Sequence, residues 1–205
     1  MSEGKVTLDI TMSLDGYIAE PNDGPENGLG DEGERLHEWV YELESWRKAH
    51  GLEGGEMNQD AEMLDEMLNA AGAVIVGKRM FDNAGGWGED PPFKLPVFVL
   101  THEAREELTK GETTFTFVTD GPDTALAQAR AAAGDKNVSI GGGASTVQQF
   151  LKAGLLDEMR IHIAPLILGG GVRLFENIGA YVDLEPLPVH QSPKVTHLRF
   201  RLGKK

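Results

Sequence analysis

The run VSIGGGASTVQQFL, Val138–Leu151, sets the architecture. A short apolar stretch stops at three consecutive glycines, Gly141, Gly142 and Gly143, and a helical pattern opens behind them with Ala144, Ser145 and Thr146 in its first turn. Residues without a Cβ let the backbone approach a ligand closely. The helix start aims unpaired N–H groups and the positive end of its dipole at the same spot. That order suits a pyrophosphate; a tight turn alone is the other reading. The spacing is not the GxGxxG fingerprint, and the motif falls late in the chain.

Working back from that run, the chain alternates. AVIV is followed by GKRMFDN, PVFVLT by HEAREELTK, and TFTFVT by the alanine-rich ALAQARAAAG, each pair reading as strand then helix. Such alternation predicts a parallel sheet covered by helices. At the start, Val6, Leu8, Ile10 and Met12 alternate with Thr7, Asp9, Thr11 and Ser13, which predicts a strand. Asp15-Gly16 supplies a turn, and Tyr17 to Ala19 resume extended structure. Residues 20–33 form a long polar loop, a candidate lid. Leu36, Trp39, Val40, Leu43 and Trp46 recur at helical spacing from Glu34 to His50, and Asp60 is placed to cap a helix carrying Met63, Leu64, Met67 and Leu68. Beyond the glycines, DEMRIHIAPLIL, AYVDLEPLPVHQ and KVTHLRFRL read as strands joined without long helices, hence antiparallel additions to the sheet. The expectation is an α/β protein, one three-layer αβα domain over residues 1–205 with a mixed sheet between helices.

Composition narrows the function. The chain has 205 residues, a net charge of −14 and no cysteine. An acidic surface argues against nucleic-acid binding but not against a small phosphate-bearing ligand held by a few cations. The absence of thiols excludes disulfides and thiolate metal sites and fits a cytoplasmic protein. The apolar runs are too short to span a bilayer, and Met1–Lys5 lead straight into a strand, so neither membrane segment nor signal peptide is expected. The six histidines (37, 50, 102, 162, 190 and 197) show no metal-ligand spacing, so no metal is expected. His162 and His197 lie within strands and read as structural, and Gly169-Gly170-Gly171 reads chiefly as a turn or bulge.

Two further strand ends carry groups that suit phosphate, where open α/β sheets gather ligands. One is Gly77-Lys78-Arg79, whose two cations oppose a helix dipole unless an anion sits between them; solvated surface residues are the alternative. The other is Thr101-His102, with Thr101 as a helix cap the alternative.

Taken in order, MSLDGYIA, AVIVGKRMF, VFVLTH, VSIGGGASTVQQFL and LLDEMRIHIAPLILGGGVRLF resemble the dihydrofolate reductase-like superfamily, in its branch of RibD C-terminal domains. The resemblance implies NADPH bound in extended form across strand ends. By position it places Gly77, Lys78 and Arg79 at the cofactor phosphates and Thr101 and His102 around the adenosine 2′-phosphate. Gly141, Gly142 and Gly143, with Ala144, Ser145 and Thr146, match the pyrophosphate loop, and Ala19 the backbone contact to the nicotinamide carboxamide. Two departures touch the substrate: Tyr17 replaces the lysine of riboflavin reductases, and GGWGEDPPF, Gly85–Phe93, replaces their DDP-x-L-T stretch. Met80 stands where the family often has threonine.

The implied activity is hydride transfer from NADPH to a small, pterin- or pyrimidine-like substrate, by a homodimer. Asp15 and Tyr17 lie at the expected substrate end, with Asp15 either a proton donor or a turn residue; no catalytic acid is identified. Loop 20–33 with Trp39, Trp46 and Trp87 is placed to close over the substrate, core packing being the other reading of the tryptophans. An NADP(H)-binding protein without turnover and a purely structural protein are the alternatives.

Overall fold

A computed structural model describes residues 4–179 and 181–203. Met1–Glu3, Ala180 and Lys204–Lys205 lie outside them, as do the parts of the terminal and AYVDLEPLPVHQ readings that fall there. Among the described residues, ten strands make one sheet. At its centre β1 (Val6–Ser13) lies between β6 (Asn137–Gly142) and β7 (Glu158–Ala164), parallel to both. Next to β6 come β2 (Ala71–Gly77), β3 (Val97–Leu100) and β5 (Thr113–Val118), all parallel. The sheet turns antiparallel at both sides. β4 (Leu108–Lys110) pairs with β5; β10 (Thr196–Leu202) pairs with β7 and carries β8 (Leu184–Pro186) and β9 (His190–Gln191).

The side-chain pattern explains the layers. The apolar runs of β2 and β3 are buried on both faces, as parallel strands between helices must be. β1 alternates instead: Val6 and Leu8 join the core under α5 (Pro122–Ala133) and α6 (Ala144–Ala153), where Val147 and Phe150 are fully buried. Its odd-numbered residues face the other way, where Thr11 meets Trp39; α3 (Gln59–Ala70) and α4 (Lys78–Asn83) are the helices on either side of β2 in the chain.

Several local expectations are corrected. The helix expected over Glu34–His50 divides into a 3-10 turn (Gly33–His37), α1 (Glu38–Tyr41) and α2 (Glu44–Ala49). The break at Leu43 lets the chain pair with Glu56, whose N–H donates to Glu42 O at 2.7 Å. HEAREELTK is not a helix; residues 101–107 form a loop, and β4 then folds onto β5 through the Gly111-Glu112 turn. Edge pairing outweighs the helical propensity of its glutamates there. AYVDLEPLPVHQ yields two short strands, and DEMRIHIAPLIL leaves the sheet at Ala164. Finally, the cap of α3 is Asn58, accepting from Ala61 N at 3.0 Å, while Asp60 turns inward.

At the opposite edge of β7, Glu158 is 7% exposed and binds Lys5 Nζ at 2.6 Å and Arg199 Nη2 at 3.1 Å. Burial pushes its carboxyl up, but the hydrogen bonds from Lys5 and Arg199 outweigh this and hold it below its ordinary value. A carboxylate depressed in the folded state stabilises above its unfolded pKa, and that stabilisation disappears as pH falls through the folded one. Glu158→Gln should therefore lower stability by about 1–2 kcal/mol at neutral pH. Urea unfolding should show the gap closing below about pH 4; a gap independent of pH would contradict this assignment.

Candidate functional site

The three glycine- and cation-bearing turns converge. Gly77 pairs with Leu100, and Val76 with Gly142, so the carboxyl ends of β2, β3 and β6 stand side by side with α4 and α6 starting behind them. The closest approach is at Gly77. A Cβ there would lie 2.5 Å from Thr146 Oγ1 and 3.7 Å from Gly143 N, so only glycine lets the β2 turn pack this closely on the start of α6. Thr146 and Ala144 are buried and Ser145 is exposed. Gly141 packs against Val74 and Val76, and Gly142, joined to Gly143 by a cis peptide, lies between Ile10 and Met80. Met80 thus fills space beside the loop and offers no hydroxyl.

The cations at this rim are not bare. Lys78 Nζ lies 2.5 Å from Asp82 and 3.6 Å from Glu103, and the hydrogen bond to Asp82 raises its pKa. Arg105 contacts the same two carboxylates at 3.5 and 3.3 Å. Arg79 points to loop 20–33, where its Nε donates to Asp23 at 3.0 Å and Asn83 joins from α4. That loop is therefore pinned across α4. Thr101 is buried, and with no helix behind it its hydroxyl accepts the Glu103 amide in a local turn; His102 is exposed. Arg105 is a rim cation that the sequence reading missed, because HEAREELTK was parsed as a helix whose faces place it elsewhere.

At the end of β1, Asp15 is fully engaged. Its carboxylate accepts Ser13 Oγ at 2.6 Å, Leu168 N at 3.1 Å and Gly169 N at 2.8 Å. The Ser13 hydroxyl, more than burial or the amides, sets its pKa below the ordinary value. Such a group holds a turn and does not donate a proton. Tyr17 lies beneath the Arg173 guanidinium, 4.6 Å from its ring centroid. Ala19 is buried, its carbonyl accepting Val172 N at 2.9 Å. The tryptophans mostly serve the core: Trp87 packs against Phe81, Phe93 and Phe115, and Trp46 stacks on His50.

Trp39 covers something that no local spacing announces. Thr11, His162, His197 and His190 are successive cross-strand neighbours on β1, β7, β10 and β9. Trp39 donates to Thr11 at 3.2 Å and lies 4.8 and 5.2 Å from the rings of His162 and His197. His162 bridges Asp9 Oδ1 at 2.6 Å and His197 Nδ1 at 2.5 Å. His197 Nε2 and His190 Nε2 both reach Asp60 Oδ1, at 3.1 and 3.0 Å. Burial first, and then His162, pushes the His197 imidazole down to about 4. The expectation that the histidines form no metal-ligand set rested on spacing along the chain; in the fold, Asp60, His190 and His197 bring three ligand atoms within 4.8 Å of one another.

Comparison with known proteins places this geometry. The RibD C-terminal domain model matches residues 4–198. Among curated relatives, the uncharacterized protein YyaP of Bacillus subtilis is 25% identical over 193 residues, 90% of this chain and 87% of its own. A candidate riboflavin biosynthesis protein from Shewanella sp. PV-4 superposes with a TM-score of 0.72 at 22% identity, covering 97% of this chain and 99% of that one. Dihydrofolate reductase of Enterococcus faecalis, complexed with NADP(H), gives 0.57 at 11% identity, with 98% and 97% covered. The sheet is thus of the dihydrofolate reductase-like kind. Among the described residues, no helix is long and apolar enough to cross a membrane.

Proposed function

This chain belongs to the RibD C-terminal domain family, and from it we propose an NADPH-dependent reductase acting on a small, pterin- or pyrimidine-like heterocycle. The observation that carries the reading is the convergence of the Gly77 and Gly141–Gly143 turns at the start of α6, so close that a Cβ on Gly77 would meet Thr146 Oγ1. A phosphate can lie against this junction: main-chain N–H groups at the start of α6 supply donors to it. Gly141, Gly142, Gly143, Ala144, Ser145 and Thr146 hold the pyrophosphate, and Gly77 lets it approach.

Lys78, His102 and Arg105, with Thr101, receive the 2′-phosphate. Glu103, 62% exposed at its side chain, swings away and frees its two cations, while Asp82 keeps them in place. Arg79 acts from the side, holding loop 20–33 over α4. Ala19 aligns the carboxamide end, and Tyr17, backed by Arg173, borders the substrate. The bound nicotinamide supplies the hydride; the protein orients it and excludes water. The site works in the cytoplasm, in a homodimer.

A second reading, nucleotide binding without turnover, is favoured by one observation: the Asp15 carboxylate is held by three donors, which takes that acid out of proton delivery at the β1 end. Calorimetry and thermal shift with NADPH and NADH, followed by NADPH consumption across pterins, pyrimidines and quinones, separate the readings. Tighter binding of NADPH than NADH with turnover is expected. Binding without oxidation selects the second reading, and folded protein indifferent to millimolar NADPH refutes both.

A further inference from the structure

We propose that Asp60, His190 and His197 form a binding site for a divalent transition-metal ion of the zinc class, independent of the nucleotide rim. Three elements meet there: Asp60 in the first turn of α3, His190 on the outermost short strand β9, and its register partner His197 on β10. Two imidazole nitrogens and one carboxylate oxygen are a donor set for Zn²⁺, Co²⁺ or Ni²⁺. A tetrahedral ion with bonds of about 2.0–2.1 Å spaces its ligands about 3.3 Å apart. His190 Nε2 and His197 Nε2 stand 3.0 and 3.1 Å from Asp60 Oδ1, and the three ligand atoms lie within 4.8 Å of one another, so the ion needs a slight opening at Asp60 and side-chain adjustment of the two imidazoles around it.

The hydrogen-bond row accommodates an ion at its Asp60 end. Four contacts run in series: Asp9 to His162, His162 to His197, His197 to Asp60, and His190 to Asp60. Each requires one hydrogen, and three neutral imidazoles supply three. The fourth contact takes either one further proton or an ion. A metal at the Asp60 end replaces two contacts by coordinate bonds. His197 then donates from Nδ1 to His162, and His162 donates from Nε2 to Asp9, with every ring neutral and every contact satisfied. This is the carboxylate–histidine–metal chain that fixes tautomer and ring orientation in metal sites.

The surroundings suit the role. Arg160 holds Asp9 from 3.6 Å, and Trp39 packs over His162 and His197, keeping the rings in place and dry. The His197 and Asp60 side chains are 1% and 7% exposed but that of His190 is 22% exposed, so the fourth coordination position opens on the His190 side.

The test uses the full chain, treated with EDTA and titrated with Co²⁺ without nucleotide, so that its result is independent of the reductase reading. One Co²⁺ per chain is expected, with the visible absorption of a four- or five-coordinate ion and displacement by Zn²⁺. His190→Ala and Asp60→Asn should each weaken binding about 100-fold, and His50→Ala should leave it intact. His190 sits on a half-exposed edge strand, so its variant remains informative if Asp60→Asn does not fold; circular dichroism establishes which variants fold. Absence of the visible band up to millimolar Co²⁺, or binding unaffected by His190→Ala in folded protein, overturns the proposal.

Discussion

Gly171→Ala is expected to destabilise the fold by about 3–5 kcal/mol, a large share of the total stability of a domain this size. Gly171 has a φ of +123°, and a Cβ there would lie 2.0 Å from Ala19 O and 2.9 Å from Glu20 Cα. Both obstacles are backbone, so no side-chain rotation relieves them. The strand-like pairing around it would be lost: Ile18 N to Val172 O, Val172 N to Ala19 O, and Leu174 N to Gly16 O. Its neighbours provide the control. Gly169 also has positive φ, +76°, but open space around its missing Cβ; Gly170 has only Pro21 at 3.6 Å. Denaturation midpoints should therefore rank the alanine variants 171, then 169, then 170, from most to least damaging. Hydrogen exchange should rise over residues 14–20 and 166–174 in Gly171→Ala alone. Equal effects at the three positions would show that the close approach to Ala19 does not matter.

Gly77→Ala is expected to reduce NADPH affinity about 100-fold, close to 2.7 kcal/mol, while the protein stays folded. The new methyl would meet Thr146 Oγ1 at 2.5 Å and stand before the Gly143 amide. Thr146 is buried, so its displacement costs about 1–3 kcal/mol of stability. Thr146→Ala in the same chain should recover most of that stability, since the two groups share one space. It should not recover affinity, because the methyl still stands before the Gly143 amide. Calorimetry with NADPH alongside thermal unfolding separates the two effects. Undiminished affinity in folded Gly77→Ala would place the nucleotide elsewhere.

These two glycines show different kinds of legibility. Gly77 was singled out in the sequence because a strand, a glycine and two cations stand next to one another, and the fold sets it beside the Gly141–Gly143 turn through ordinary parallel register. The Gly169–Gly171 cluster was legible as a bend, yet the one position that matters depends on Ala19, far away in the chain. Asp60 shows the limit again. Its place at a helix start suggests a cap, but Asn58 takes that role, and Asp60 is spent on two histidines that lie 130 and 137 residues further on.

Arg105 and the Glu34–His50 segment failed for a related reason. Helical periodicity was present in both, but β4 pairing with β5 and Leu43 pairing with Glu56 supply backbone partners that propensity does not register.

From residues alone came the mixed sheet between helices, the strand-end glycines and the family, because hydrophobic period and turn chemistry depend on residues a few positions apart. Only the tertiary structure decided that Thr11, His162, His197 and His190 form one row, that Asp15 is already occupied, and that Asp60 faces inward. Sheet order and register create those neighbours, and register is fixed by the packing of whole strands, which no local spacing encodes.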